Sequence, residues 1–352
     1  MKRLLLLTTD YPPNRGGVAR YLAEMAEYFG DQMEVVAPLN ASLTFRFLWP
    51  RWIKAFGPLL KRFKTYDVLV VSHVIPLGTI ALIQKILLRK PYVVILHGMD
   101  FALARRNPWK RALTKKILRQ ALIVVTNSEA LRNEVRGFAS PTQQVVVYPC
   151  LHRDLLDVAE TSQQKSLSPE ESITFLTVAR LVPRKGHLHV LEALSMLREH
   201  GLRPFRYLII GDGPMYRELQ DHVRSLGLQG SVAFMRDADD RQLLDAYRRA
   251  DIFVMPTTKI GRDIEGFGTV YVEAAAFGIP SVASDLPGVN EAVVNEETGL
   301  LVPSSAPNDL SLAMERLMVD DELRQRLGAN ARARALATFT ADQQFSKLKA
   351  ML

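Results

Sequence analysis

The chain contains a single cysteine, Cys150, so no disulfide framework holds it together and a reducing compartment suits it. It lacks any apolar stretch of the roughly 20 residues that crossing a bilayer requires. The opening MKRLLLLTTD has a basic start but only four leucines before polar Thr8 and Asp10. That run is too short for a signal peptide and reads as a buried first strand. Together these absences predict a cytoplasmic protein. Acidic residues are missing altogether from positions 43–64 and 101–119.

What is present is a chain of 352 residues, 48% hydrophobic and 23% charged, enough for two ordinary domains with real cores. The net charge of +8 is unevenly placed. Residues 1–150 carry 22 Lys and Arg against 9 Asp and Glu, the remainder 23 against 28, so the N-terminal half faces something anionic. Short apolar runs alternate with helical patterns: Arg3–Thr8, Met33–Ala37, Val68–Ser72, Tyr92–Leu96, Leu122–Thr126 and Val145–Tyr148 read as strands. After a polar stretch, 160–172, the alternation restarts with Ile173–Val178, Arg206–Ile210, Ser231–Phe234, Ile252–Met255 and Ser281–Ala283. Near-continuous apolar strands separated by helices predict parallel sheets covered on both faces. The expected fold is α/β, two doubly wound Rossmann-like domains facing each other across a cleft, with ligands at strand C-terminal ends. The expected division is an N-terminal domain over 1–158, a linker over 159–172 and a C-terminal domain over 173–338. A final helix over 339–352 crosses back to the first domain.

Several turns at strand ends carry chemistry. Glu265-Gly266-Phe267-Gly268 precedes a predicted helix, Thr269–Phe277; its glycines let backbone approach a ligand, and free N–H groups at the helix start suit a diphosphate. Glu273 lies eight positions after Glu265, so two carboxylates can bracket one ligand. Arg180, Arg184, Lys185 and Gly186 follow the strand Ile173–Val178, a cationic turn suited to a leaving diphosphate. Alone, that turn is as well read as a solvated basic loop. Gly211 and Gly213 form a third strand-to-helix turn, and Gly16 and Gly17 follow the first strand; neither is specific by itself. His97 and Asp100 stand at the end of Tyr92–Leu96, where a histidine more often serves structure.

In order along the chain, PPNRGGVARYL, HGMD, TNSEALR, VARLVPRKG, GDGP, EGFGTVYVEAAAFGIPSVAS, LPGVNEAV and TGLLVP resemble the retaining glycosyltransferases of GT-B fold, family four. The resemblance covers essentially the whole length, and the segment 263–268 is similar to lipid-directed mannosyltransferases. It implies that Arg180 and Lys185 hold a nucleotide-sugar diphosphate, Glu265 contacts the transferred sugar and Glu273 the ribose. It further implies that the amides of Phe267 and Gly268 touch phosphate or sugar, and that Gly16 and Gly17 approach the diphosphate. Gly211, Gly213 and Gly266 would complete the donor site, and the base would be held near Phe234 and Arg236. On the acceptor side stand His97, Asp100 and Asn127. The implied reaction is retaining transfer of a hexose by front-face attack, with GDP-mannose or a UDP-sugar as donor and with no cofactor or metal. A literal Asp237-Ala-Asp239 precedes the helical pattern from Arg241, and capping by Asp239 or Asp240 accounts for it better than metal binding.

The acid-free segments form a basic, aromatic face. The first contributes Trp49, Arg51, Trp52, Lys54, Lys61, Arg62 and Lys64, the second Arg105, Arg106, Lys110 and Arg111. Such segments sit well on an anionic bilayer, each basic residue adding about 1 kcal/mol. This predicts peripheral attachment to the inner face of the membrane and a lipid-linked or cell-envelope glycan acceptor. The other reading is a solvated face whose aromatics close the core beneath it. No nucleic-acid-binding module accompanies the charge. The alternatives to transfer are a nucleotide-sugar epimerase of the same fold and a catalytically silent sugar-nucleotide-binding subunit.

Overall fold

The computed structural model describes residues 2–14, 16–37, 62, 64–161, 172–261 and 265–352. Trp49, Arg51, Trp52, Lys54 and Lys61 of the basic face, Asp263, and 162–171 of the expected linker lie outside the described residues.

The chain divides into two compact units, one of Met1–His152 with Ala341–Leu352, the other Arg153–Thr340. In the first unit the order is β1 (Leu4–Leu7), α1 (Gly17–Phe29), β2 (Met33–Val36), β3 (Val68–Ser72), α2 (Thr79–Leu88), β4 (Tyr92–Leu96), α3 (Met99–Leu103), α4 (Pro108–Gln120), β5 (Ile123–Thr126), α5 (Glu129–Ala139) and β6 (Gln144–Val146). All pairings are parallel, in the spatial order β2-β1-β3-β4-β5-β6. The direction of winding reverses between β1 and β3, which marks the crevice where such sheets take ligands. Leu4–Leu7, Val68–Ser72 and Tyr92–Leu96 are buried throughout, as strands covered on both faces must be.

The second unit begins with α6 (Arg153–Thr161). It continues β7 (Ile173–Val178), α7 (His187–His200), β8 (Phe205–Ile210), α8 (Tyr216–Ser225), β9 (Val232–Met235), α9 (Asp240–Arg249), β10 (Ile252–Met255), α10 (Thr269–Ala276), β11 (Ser281–Ser284), α11 (Val289–Ala292), β12 (Gly299–Val302), α12 (Pro307–Val319) and α13 (Asp321–Thr338). Its sheet is again parallel, β12-β11-β10-β7-β8-β9, with the reversal between β10 and β7. Residues 153–158, expected in the first domain, belong to α6 and to this unit. There Arg332 donates to the carbonyl of Ala159 at 2.7 Å. The last helix, α14 (Ala341–Met351), returns to the first unit: Phe345 packs on Tyr21 and Tyr28, and the Gln344 side chain accepts from the Tyr148 amide at 2.9 Å.

Candidate functional site

In the second unit, polar residues gather at the β7/β10 switch point. The turn after β7 runs through Arg180 into a 3-10 turn, Pro183–Lys185, and reaches α7 at Gly186. Gly186 has φ +72, and a Cβ there would lie 2.0 Å from the Pro256 carbonyl oxygen; only glycine lets the two strand-end loops touch. Thr258 N–H donates to the Arg184 carbonyl at 2.8 Å, fastening the loop after β10 to this turn. Next door, a Cβ on Gly213 would lie 2.4 Å from the Leu181 carbonyl oxygen, so the turn after β8 packs against the turn after β7 by backbone alone. His187 is buried and its Nε2 donates to the Arg180 carbonyl at 3.2 Å. Burial pushes that imidazole down to about 4, which keeps it neutral.

Lys185 Nζ and Arg184 Nη1 both donate to Oε2 of Glu265, each at 2.5 Å. Burial alone would raise the Glu265 carboxyl, but the charges and hydrogen bonds of Lys185 and Arg184 overcome it and hold the group below the usual carboxylate range. Gly266, Phe267 and Gly268 follow, with Phe267 buried against Phe339 and Gly268 as the left-handed N-cap of α10. Tyr271, one turn into α10, donates to the Met255 carbonyl at 2.5 Å and so pins the helix start to the end of β10. Charged Glu265, two cations and the open amides of a helix start therefore converge at one strand-end crevice. Chemically, that arrangement suits an anion and a hydroxylated ligand side by side.

The other expected donor residues are distributed around this centre. Arg180 is exposed and makes no ion pair among the described residues; Arg184, read as part of the cationic turn but given no role of its own, joins Lys185 on Glu265 instead. Glu273 is buried within α10 and accepts from the Tyr247 hydroxyl of α9 at 2.8 Å, so the two carboxylates have separate partners. Gly211 and Gly213 hold the turn after β8. Arg236 pairs with Asp212 at 2.7 Å and lies over the Tyr216 ring, which meets Phe234 edge-on. Asp239 is the N-cap of α9 in a full capping box with Gln242, which occupies its carboxylate. No group of three or more His, Cys, Asp or Glu suited to a metal occurs among the described residues.

In the first unit, polar residues gather at the β1/β3 switch point and beside it. His97 Nε2 lies 3.0 Å from Ser72 Oγ, and its ring meets Tyr21 edge-on. Asp100 accepts from the backbone N–H of His97 at 2.9 Å and of Val74 at 3.4 Å. Asn127 Nδ2 donates to the His97 carbonyl at 3.4 Å. The expected acceptor-side residues His97, Asp100 and Asn127 thus form one cluster. Burial, with His73 beside it, pushes His97 down to about 3; burial also raises Asp100 against the opposing pull of His73 and the backbone N–H groups. Asp10, Ser72 and His73 belong to the cluster but were not expected; the available signal was a second histidine at a strand end. Gly16 and Gly17 are exposed at the start of α1, and a Cβ on either meets nothing within 4 Å, so packing does not demand glycine there.

Among the expected membrane residues that are described, Arg62 pairs with Glu34 at 2.5 Å. Arg105 pairs with Glu134 and lies over the Phe101 ring. Arg106 and Arg111 are exposed, as is Lys64. Trp109 is 60% exposed, with Lys110 over its ring.

Three comparisons with known proteins bear on this geometry. Solved structures share the fold over the full length: an Anabaena protein, Alr3699/HepE, in complex with UDP and glucose, superposes with a TM-score of 0.78 at 20% identity, covering 100% of both chains. The two-sheet architecture is that of the GT-B glycosyltransferases. Residues 158–334 match the family described as Glycosyl transferases group 1, and residues 15–152 match Glycosyltransferase Family 4. The chain belongs to the glycosyl transferases group 1 and is a glycosyltransferase. Among its relatives is a GDP-mannose-dependent alpha-(1-6)-phosphatidylinositol monomannoside mannosyltransferase of Mycobacterium tuberculosis, 27% identical, matched over 99% of this chain and 97% of the relative. An N-acetyl-alpha-D-glucosaminyl L-malate synthase of Bacillus anthracis is 23% identical over 80% of this chain and 73% of that one.

Proposed function

We propose that this glycosyltransferase moves a hexose from a nucleoside diphosphate sugar to a lipid-linked or glycan acceptor with retention of configuration and without a metal. The observation that carries the reading is the clasp of Lys185 and Arg184 on Glu265 at the head of α10. A donor diphosphate entering there draws Lys185, with exposed Arg180, onto its oxygens and sets the sugar against Glu265. Glu273, steadied by Tyr247, takes the ribose hydroxyls. The glycosidic oxygen departs with the diphosphate, whose growing charge the cations and the α10 amides stabilise. A phosphate oxygen accepts the proton of the incoming acceptor hydroxyl, so the new bond forms on the face the leaving group vacates. Glu265 is held as a charged acceptor of hydrogen bonds by two cations, which suits sugar binding rather than attack.

GDP-mannose is the favoured donor, on the likeness to a mannosyltransferase over nearly the whole of both chains. Membrane attachment is supported by exposed Ile86, Leu87, Leu103 and Trp109 on helices that also carry Lys85, Lys110, Arg111 and Lys116, with Arg106 in the turn between α3 and α4. No helix among the described residues is long and apolar enough to cross a membrane, so the attachment is peripheral. Release of nucleoside diphosphate from a panel of GDP- and UDP-sugars tests the reaction: wild type releases it with at least one donor and Lys185→Ala does not. Equal release by both proteins, or none by wild type from any donor, overturns the reading. Flotation with liposomes tests the surface, and no binding with or without anionic lipid removes it.

A further inference from the structure

At the β1/β3 switch point a chain of four side chains runs from a carboxylate to His97. Asp10 Oδ2 lies 3.5 Å from His73 Nε2. His73 Nδ1 lies 2.8 Å from the Ser72 carbonyl oxygen and 3.1 Å from Ser72 Oγ. Ser72 Oγ lies 3.0 Å from His97 Nε2. The backbone of His73 has φ +84 and ψ 139, a conformation residues with a Cβ almost never adopt and that concentrates at functional sites. Its N–H donates to the Ile95 carbonyl at 3.1 Å and its carbonyl accepts from Gly78 at 3.3 Å. Strand β3 is thus held in an unfavourable turn at the one residue whose ring is placed between Asp10 and Ser72.

The hydrogens along this chain follow from what each atom is able to do. A carbonyl oxygen only accepts, so His73 Nδ1 carries a hydrogen and donates to Ser72; the Asp10 carboxylate only accepts as well, so His73 engages it with a second hydrogen, on Nε2. The Ser72 hydroxyl, receiving on that side, has its own hydrogen available for the remaining partner, His97 Nε2 at 3.0 Å. A ring nitrogen that accepts carries no hydrogen, and in a neutral imidazole the hydrogen is then on the other nitrogen. We propose that Asp10, His73 and Ser72 are positioning residues that fix His97 as the Nδ1–H tautomer, so that this N–H is offered as a hydrogen-bond donor to a sugar hydroxyl. Burial of His97 supports this by keeping the ring neutral. Asp100 and Asn127 hold the backbone on either side of the ring, and Tyr21 meets the ring edge-on. The sugar-hydroxyl role rests on the glycosyltransfer reading given above; the tautomer itself does not.

Long-range 1H–15N spectra of the full chain labelled in its seven histidines read the tautomer directly, with His97 assigned by its loss in His97→Gln. Wild type is expected to show the Nδ1–H pattern. Ser72→Ala is expected to lose it, giving a mixture or the Nε2–H form. With that loss kcat falls about 100- to 1,000-fold, as when one oriented hydrogen-bond donor is lost, while KM for the donor stays within about twofold. Ser72→Thr restores both the spectrum and kcat, which a merely structural role would not require. Asp10→Asn, at a half-buried position, gives an intermediate spectrum and serves if Ser72→Ala does not fold. An Nε2–H pattern in wild type, or an unchanged His97 signal and kcat in folded Ser72→Ala, overturns the proposal. An Nδ1–H pattern in a protein that turns over no nucleotide sugar overturns the hydroxyl-donor role and the glycosyltransfer mechanism together, and leaves the tautomer relay standing.

Discussion

Arg184→Met removes one of the two cations on Glu265 while keeping much of the apolar stem that packs beside it. At neutral pH the variant loses a charge-assisted hydrogen bond to a largely buried carboxylate, about 1.5–3 kcal/mol. Lys185 stays on Oε2 at 2.5 Å and keeps the loss below the about 3–5 kcal/mol expected when a buried charge is left wholly unpaired. The pH dependence carries the sharper prediction. In wild type the Glu265 carboxyl is held below its usual range. Its stabilising contribution is therefore full above the unfolded value of about 4.3 and fades as pH falls through the lower folded value. In the variant, burial is opposed by Lys185 alone, so the folded value rises and folded protein takes up its proton at higher pH. The stability gap between the two proteins is thus widest near pH 7 and narrows on acidification toward the unfolded glutamate value. Urea unfolding at pH 7 and near pH 4.5 measures it. Far-UV circular dichroism is the suitable probe, since the sequence has no tryptophan within the second unit, Arg153–Thr340, and tryptophan fluorescence does not report on it. A gap that stays constant or widens on acidification refutes the account of Glu265.

Tyr247→Phe leaves Glu273 without its hydroxyl partner and should cost about 1–3 kcal/mol, with donor affinity reduced in the same protein, measured by calorimetric titration with the nucleotide sugar. Gly186→Ala forces a Cβ against the Pro256 carbonyl oxygen at φ +72, a substitution expected to cost about 2 kcal/mol or more; a thermal melt shows a lowered midpoint, and an unchanged one contradicts the close approach. Asp239→Ala removes the cap of α9 and costs about 1 kcal/mol, but sugar transfer by the folded variant is unchanged and insensitive to chelator in both proteins. Loss of transfer on chelation would give Asp237 and Asp239 the metal role that capping otherwise replaces.

The strands were legible where burial on both faces writes an unbroken apolar run. Val68–Ser72 and Tyr92–Leu96 are read from the sequence with the ends observed. Strand β12, Gly299–Val302, was not read, because four residues between a glycine turn and Pro303 carry no periodicity to separate strand from loop. Helix α6 was divided between a domain and a linker because its place is set by contacts such as Arg332 on Ala159, which no local pattern contains. The candidate site shows the same limit. Spacing identified a cationic turn and the carboxylates Glu265 and Glu273, but not which cation turns inward: the 3-10 geometry of Pro183–Lys185 sends Arg184 with Lys185 to Glu265 and leaves Arg180 outside. His73 escaped notice because its meaning lies in a backbone conformation and in Asp10 and Ser72, residues that sequence spacing does not group.

The return of α14 to the first unit makes that unit discontinuous in the chain. Synthesis delivers residues 1–152, then the whole of the second unit, and only afterwards Gln344 and Phe345, which satisfy the Tyr148 amide and cover Tyr21 and Tyr28. The half that begins first is therefore finished last, and a chain stopped at Thr340 has every residue of the second unit but leaves the first with an open apolar seam.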